Sequence, residues 1–476
     1  MANVYFSSSS GCGITRQGFE RILKSLGEDY VKTTNIFNAD IIIQYFCILS
    51  KDCLNPVADI MAFLKQLKAY KLNCKIIVGG CAATVIDFKK IYPFIDGVFD
   101  KFEMVPKVLS MLGLEEKKDI IPVPIGERRA EIVVSSGCNR HCSFCKKGYM
   151  PMEYQSVPME EILRQVQYAT ENRVRYLALL GENLTEYGVD LYKEKKLVEL
   201  LKEILKVGKF IKGITLGGIV IEEMTPELIE FIAKEPRIHT VQLEIQSLIP
   251  EVRKAMNIDS SIDKVLKVMD RLSHKAILSN IMVGHPGETQ EGFKKQLELV
   301  RNHNLYFIQV NKFDNTPGTK SYEMEQIPEK LVEKRIMELA RVVVQLRGEK
   351  LLKLMGGDNI SNGKPVPIKA LVTKITSKEI EVNPLEFAAI VKIPLYTFKT
   401  NPRIFDVVQV MITGYEDVVA GGHQLMILKG EMLWMNLKRF LQELNLIQFL
   451  NILWLFLHSR NFLITLIEWR GKRCLL

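Results

Sequence analysis

This 476-residue sequence has little of what disulfide scaffolds, secreted proteins or repeat proteins need. Nine cysteines are too few, and odd in number, for a disulfide framework. The amino-terminal stretch MANVYFSSSSGCG lacks the charged start and apolar core of a secretory signal. A cytoplasmic address is therefore expected, where clustered thiols serve metal binding or catalysis. There is no internal repeat and no long low-complexity tract. The uncharged run LNLIQFLNILWLFL, 444–457, has fourteen residues and is too short for a secure membrane span.

What is present suggests two or three domains, each with its own core. Net charge of +9 and a pI near 8.9 suit an anionic partner such as nucleic acid, or simply a soluble basic surface. Residues 1–115 alternate apolar strand-like runs (NVYF, ADIIIQYF, CKIIVGG, DGVF) with helix-periodic segments, the pattern of a doubly wound parallel α/β domain. A charged, proline-containing linker covers 114–129. Residues 128–350 repeat the alternation, with strands expected at 131–136, 176–180, 213–216, 240–246, 276–283 and 306–313. Six βα units predict a partial or full (βα) barrel, working at the carboxyl ends of its strands. Residues 360–426 read as short strands of a small β-barrel. The segment 427–476 is expected to be an apolar helical tail that docks on a core or touches a membrane surface.

The stretch SSGCNRHCSFCKKG, 135–148, places Cys138, Cys142 and Cys145 in a CxxxCxxC spacing directly after the first barrel strand. A structural zinc site needs a fourth ligand, but no second CxxC follows and none of the seven histidines is suitably paired nearby. A 4Fe–4S cluster on three thiolates leaves one iron open to a small molecule. Three more cysteines, Cys12, Cys47 and Cys81, each close a predicted parallel strand of the first domain. The carboxyl ends of such strands share an edge, so these thiols could converge and hold a second cluster; alternatively they are buried small residues. Cys53 and Cys74 read as packing residues and Cys474 as an isolated tail thiol.

CxxxCxxC with an aromatic, Phe144, before the last cysteine resembles the radical S-adenosylmethionine (SAM) enzymes. The resemblance implies that Cys138, Cys142 and Cys145 hold the 4Fe–4S cluster whose open iron is chelated by SAM, with cleavage to a 5′-deoxyadenosyl radical. LLGENLTEYG (179–188) resembles the segment that receives the amino group of SAM, with Glu182 and Asn183 as polar candidates. NIMVGHPGET (280–289), with Gly284, resembles the stretch beside the adenine, and DNTPGTKS (314–321) resembles a further family segment. Gln246 and Ser247 are the matching pair of a segment at the end of the fourth strand.

Together with Cys12, Cys47 and Cys81, the pattern over about residues 1–425 resembles the radical-SAM methylthiotransferases. That implies two 4Fe–4S clusters, SAM, a carboxy-terminal RNA-binding TRAM barrel, a reductase as electron donor and tRNA as partner, the sulfur source being open. The usual substrate is a hypermodified adenosine beside the anticodon, and NLTEYG is nearest the threonylcarbamoyladenosine branch; one branch modifies a ribosomal protein. A radical-SAM sulfur insertion or methylation on a peptide or small molecule is the second reading, and a non-catalytic cluster-bearing RNA-binding protein the third.

The substrate face departs from the family. Tyr45-Phe46 replace Asn-Thr before Cys47, and Leu243–Leu248 lack the histidine, proline and glycine of His-x-Pro-x-Gln-Ser-Gly. Ile258 stands where an arginine is expected, and Leu216-Gly217-Gly218 where Arg-Ser-Ser is expected. The arginine before PGT is absent, and only Lys147-Gly148 represents Arg-Gly. Both cysteine triplets are intact, so a divergent member with an altered substrate is expected.

Overall fold

The computed structural model describes residues 1–10, 12–48, 51–101, 103–117, 121–123, 129–149, 153–259, 261–355, 368–376, 379–384, 390–394, 407–420 and 423–432. The amino-terminal sheet is fully parallel and runs β2–β1–β3–β4–β5. Its strands are β1 (Ala2–Ser8), β2 (Tyr30–Lys32), β3 (Ile41–Tyr45), β4 (Lys75–Gly80) and β5 (Gly97–Asp100). All five residues of β3, IIIQY, are buried, as a central strand covered on both faces requires. Helix Gly13–Leu26 turns Gly18, Ile22, Ser25 and Leu26 inward, the three-and-four spacing of one helical face. The strand order reverses direction between β1 and β3, and in such sheets the crevice at that switch point receives ligands.

The second sheet holds six parallel strands in chain order. They are β6 (Arg129–Val133), β9 (Tyr176–Leu180), β10 (Gly213–Ile219), β11 (Ile238–Leu243), β12 (Ala276–Val283) and β13 (Ile308–Lys312). A short antiparallel ribbon, β7 (Ser135–Ser136) with β8 (Gln155–Ser156), lies between the first two. Among the described residues the edge strands β6 and β13 do not pair, so the sheet is open. One face carries Ile132, Leu179, Leu216, Val241, Ile277 and Ile281 into a core shared with the surrounding helices. Alternation turns Thr240, Gln242, Leu278, Asn280 and Gln309 to the other face. There Gln242, Leu278 and Gln309 are exposed in mid-strand, so this inner face is accessible.

Helix Glu329–Met355 seals the far side through Leu339, Val342, Val343 and Leu346. Beyond it come β14 (Ile368–Ile375), β15 (Glu379–Pro384), β16 (Ile390–Pro394), β17 (Val407–Ala420) and β18 (His423–Met432). β14 pairs with both β15 and β17, and β18 pairs with both β16 and β17. β18 runs six residues past 426, so the start of the expected tail is strand. The remaining tail, with Cys474 and the apolar run, lies outside the described residues. Among the described residues no helix is long and apolar enough to cross a membrane.

The two faces of the central sheet predict different responses at adjacent positions of β12. Ile277→Ala should cost about 2–5 kcal/mol in urea denaturation, because it opens a cavity in the core. Leu278→Ala should cost roughly 1 kcal/mol or less, since its side chain already meets solvent. Equal losses would contradict an accessible inner face.

Candidate functional site

The central cysteine loop leaves the sheet after β6 and is pinched at its base by the β7–β8 ribbon. Gly137 stands in that neck at φ +81, where a Cβ would lie 2.5 Å from the Glu153 carbonyl oxygen, so only glycine closes it. Cys138, Cys142 and Cys145 follow, all half-buried. The loop is tied down at several points. Ser143 N–H donates to the Met256 carbonyl at 2.9 Å, and Ser321 N–H to the Ser143 carbonyl at 2.9 Å. Phe144 packs on Ile249, Val252, Met256 and Ile258 and meets His285 edge-on.

His285 is fully buried. Its Nδ1 lies 2.8 Å from the Pro286 carbonyl, which can only accept, so Nδ1 donates and Nε2 is left to accept from Ser321 Oγ at 2.7 Å. Ser321 Oγ is in turn 2.6 Å from Ser143 Oγ. Burial pushes the imidazole pKa down to about 4, against a smaller upward pull from the Pro286 carbonyl.

Arg140, in the middle of the cysteine loop, reaches Glu222 at 3.3 Å and Glu223 at 3.8 Å, two carboxylates just past β10. Glu222 also pairs with Arg253, a guanidinium with no exposed surface. Arg253 donates as well to the carbonyls of Ile245 (2.5 Å), Ser247 (3.0 Å) and Asp259 (2.9 Å). Burial draws its pKa down to about 10.

In the amino-terminal sheet Cys12 stands between β1 and its helix, Cys47 two residues past β3, and Cys81 directly after β4. These are three adjacent strands, and two of them flank the switch point. Cys47 N–H donates to Ser9 Oγ at 2.9 Å. Tyr45 marks where the thiols meet. Its hydroxyl is 3.1 Å from Cys81 Sγ, and burial, then Cys81, Cys12 and Cys47 together, push the phenol well above its ordinary range. The Cys81 thiol is itself raised, first by its contact with Cys47 and then by burial.

The two strand edges face each other. Helix Gly13–Leu26 starts against Leu180 at the end of β9, and Arg16 binds Glu131 of β6, with Nη2 2.6 Å from Oε2. Glu182, just past β9, sits at the junction. Its Oε1 takes Lys101 at 2.6 Å and Lys147 at 3.1 Å, and its Oε2 takes Gly137 N–H at 2.9 Å. Burial pushes this carboxyl up, but Lys147 and Lys101 outweigh it and hold it below the ordinary carboxylate range.

The residues matched to SAM contacts therefore have protein partners. Glu182 is engaged at both oxygens. Asn183 is fully buried and donates to Glu223 at 2.8 Å, while its Oδ1 has no hydrogen-bond partner. Gln246, in left-handed backbone at φ +64, donates to Glu244 at 2.7 Å and accepts from Asn280 at 3.1 Å. Ser247 is buried against Gln296 at 3.3 Å. Gly284, at φ +90, lets the chain pass under Val332, which a Cβ would approach to 2.6 Å. Reading the sequence missed Lys101, Arg140, Glu222, Glu223, Glu244, Arg253 and His285. Position after a strand end would have flagged Lys101, Glu222, Glu223 and Glu244.

The donor set fits iron–sulfur chemistry. Burial pushes the Cys138 thiol up and the Cys142 thiol to about 11, and neighbouring cysteines of the same loop add to both shifts. Thiolates that repel one another in this way are stabilised when a cationic centre is bound among them. Among the described residues no three Cys, His, Asp or Glu side chains gather so as to hold a single ion.

The family model of the radical SAM superfamily matches residues 132–300. Ribosomal protein uS12 methylthiotransferase RimO of Thermoanaerobacter sp. (strain X514) is 30% identical over 359 residues, 70% of this chain and 81% of that protein. The tRNA-2-methylthio-N(6)-dimethylallyladenosine synthase of Clostridium botulinum (strain Langeland / NCTC 10281 / Type F) is 28% identical over 375 residues, 73% of this chain and 82% of that protein. Among solved structures, the radical S-adenosylmethionine methyltransferase TsrM of Kitasatospora setae shares the fold. It has a TM-score of 0.50 at 9% identity, over 65% of this chain and 73% of TsrM.

Burial of a neutral His285 predicts an acid-side loss of stability. Its folded pKa of about 4 lies below the unfolded 6.5, so the contribution is whole above pH 6.5 and is lost as pH falls towards 4. The loss should be about 3 kcal/mol in urea denaturation across that window. His285→Gln should remove this segment of the pH profile. Superimposable profiles would show that His285 does not titrate in this way.

Proposed function

Because this chain belongs to the radical-SAM methylthiotransferase family, we propose that it inserts a methylthio group at an unreactive C–H of a hypermodified adenosine beside the tRNA anticodon, of the threonylcarbamoyladenosine type. It is a transferase-type radical-SAM enzyme, whose catalytic domain takes an iron–sulfur cluster and SAM. The observation that carries the fuller reading is the meeting of two cysteine triplets at facing strand edges. Cys138, Cys142 and Cys145 would hold the SAM-cleaving cluster, and Cys12, Cys47 and Cys81 a second 4Fe–4S cluster concerned with sulfur. With cluster and SAM bound, the chemistry supplied is reductive cleavage of SAM to a radical that abstracts hydrogen.

The chain's own residues orient and enclose. Asn183, with its unpartnered Oδ1, and Gln246 are the side chains we assign to SAM. Phe144 and the Ser143–Ser321–His285 chain fix the loop beside it, and Gly284 shapes the adjoining wall. Paired strands β14–β18 support a TRAM-like barrel, and the net charge of +9 supports tRNA as partner. Electrons would come from a reductase in the cytosol. A second reading, methylthiolation of a ribosomal protein, is favoured by one observation. The inner face beside the site presents the amides of Gln242, Gln246 and Asn280 around Glu244.

Anaerobic reconstitution should give about eight irons per chain, two 4Fe–4S clusters. Cys81→Ala should leave about four and still release 5′-deoxyadenosine on reduction, whereas Cys142→Ala should release none. Four irons in the unaltered chain would remove the second cluster. A strain lacking the chain should lose a methylthio-nucleoside from its tRNA, read by nucleoside mass analysis. An unchanged tRNA profile with a lighter uS12 peptide would select the second reading.

A further inference from the structure

Two lysines stand between the thiol triplets, and one carboxylate holds both. Lys101 comes directly after β5, at the carboxyl edge of the amino-terminal sheet, and Lys147 comes two residues after Cys145. Both Nζ atoms lie on Glu182 Oε1, at 2.6 Å and 3.1 Å. The Lys101 and Glu182 side chains are only 5% and 8% exposed. Each cation stands by a different triplet. Asp100 pairs with Gly80 across β5 and β4, which sets Lys101 beside Cys81, and Lys147 follows Cys145 by two residues on the cysteine loop. The row thus spans the two edges and reaches into both triplets.

A purely mechanical tie between two domains does not call for this arrangement. Apolar residues of similar volume hold a buried junction at least as well as an ion pair, because desolvation offsets most of the attraction. Here two ammonium groups, one buried and one mostly buried, share one carboxylate between the triplets, and Lys147 also faces Glu244. We infer that Lys101, Glu182 and Lys147 are positioning residues that hold one shared charged row between the two triplets, so that each cluster's potential depends on it. The inference rests on each triplet holding a cluster. A cluster's potential follows the charge and hydrogen bonding around its sulfurs. Loss of a nearby carboxylate raises it, and loss of an ammonium lowers it.

The test uses the full chain, reconstituted anaerobically with iron and sulfide and titrated reductively under EPR without SAM. The readouts are two midpoint potentials and iron content, with Cys81→Ala identifying the couple that belongs to the amino-terminal site. Glu182→Gln should shift both midpoints upward, and Lys147→Met both downward. Lys101→Met should lower chiefly the amino-terminal couple, and Lys101→Arg, which keeps the cation, should restore it. A mechanical tie would alter melting temperature or iron content without opposite shifts. Unmoved midpoints in fully loaded Glu182→Gln and Lys147→Met would overturn the inference and leave the two-cluster reading intact. An unaltered chain that takes up no iron would overturn that reading and the inference with it. Should Glu182→Gln not fold, Lys147→Met, read on both midpoints in the fully loaded chain, decides the matter.

Discussion

Parallel strands all end at the same edge, and that constraint decides where chemistry can sit in this chain. A sheet in which every strand points one way has a single rim where loops leave carboxyl ends, so residues distant in sequence become neighbours there. Both sheets place cysteine on that rim. Cys12, Cys47 and Cys81 lie 69 residues apart from first to last, yet they close three adjacent strands. The central loop brings its own three thiols to the first strand of the next sheet. Because helix Gly13–Leu26 docks on β6 and β9, the two rims face each other across Glu182.

The polar groups between the rims are nearly balanced. Glu182, Glu222, Glu223 and Glu244 confront Lys101, Lys147, Arg140 and Arg253. Burial opposes the charge of the last carboxylate, and the Glu244 carboxyl is raised by it although Gln242, Arg140, Gln246 and Lys147 pull the other way. Charges held this far from water gain from pairing only while every partner stays in place. That dependence is the reason the cysteine loop has so many anchors. Arg140 binds it to the end of β10, Ser143 to the segments after β11 and β12, and Lys147 to the end of β9.

Much of this was legible in the sequence because strands alternate and end at cysteine. The six central strands lie where the apolar runs put them, with ends differing by a few residues, and the thiols stand at the strand ends. β2 was not legible: three residues, YVK, two of them exposed, carry no strand pattern of their own and pair only because β1 offers an edge. Site residues such as Arg253 and Glu222 were illegible for another reason. They are 31 residues apart, and nothing local says that a helical arginine will turn inward to a loop carboxylate. Glu182 was singled out in the sequence, but its company was not, since Lys101 comes from the first sheet and Lys147 and Gly137 from the cysteine loop.

The altered substrate face follows from the same accounting. Where the family resemblance led one to expect an arginine, Ile258 joins Val252, Met256 and Phe144 in an apolar cluster beneath the cysteine loop. That exchange replaces a polar contact with packing under the loop. The guanidinium groups that remain nearby, Arg140 and Arg253, are bound to Glu222 and Glu223 and to backbone carbonyls. What the inner face of the sheet presents instead is amide: Gln242 and Gln246 about Glu244, with Asn280 on Gln246. Amides read carbonyl and amino edges but do not neutralise phosphate. Any phosphate would have to be met by cations elsewhere on the basic chain. The departures from the family pattern thus gather on this face and leave both cysteine triplets in place.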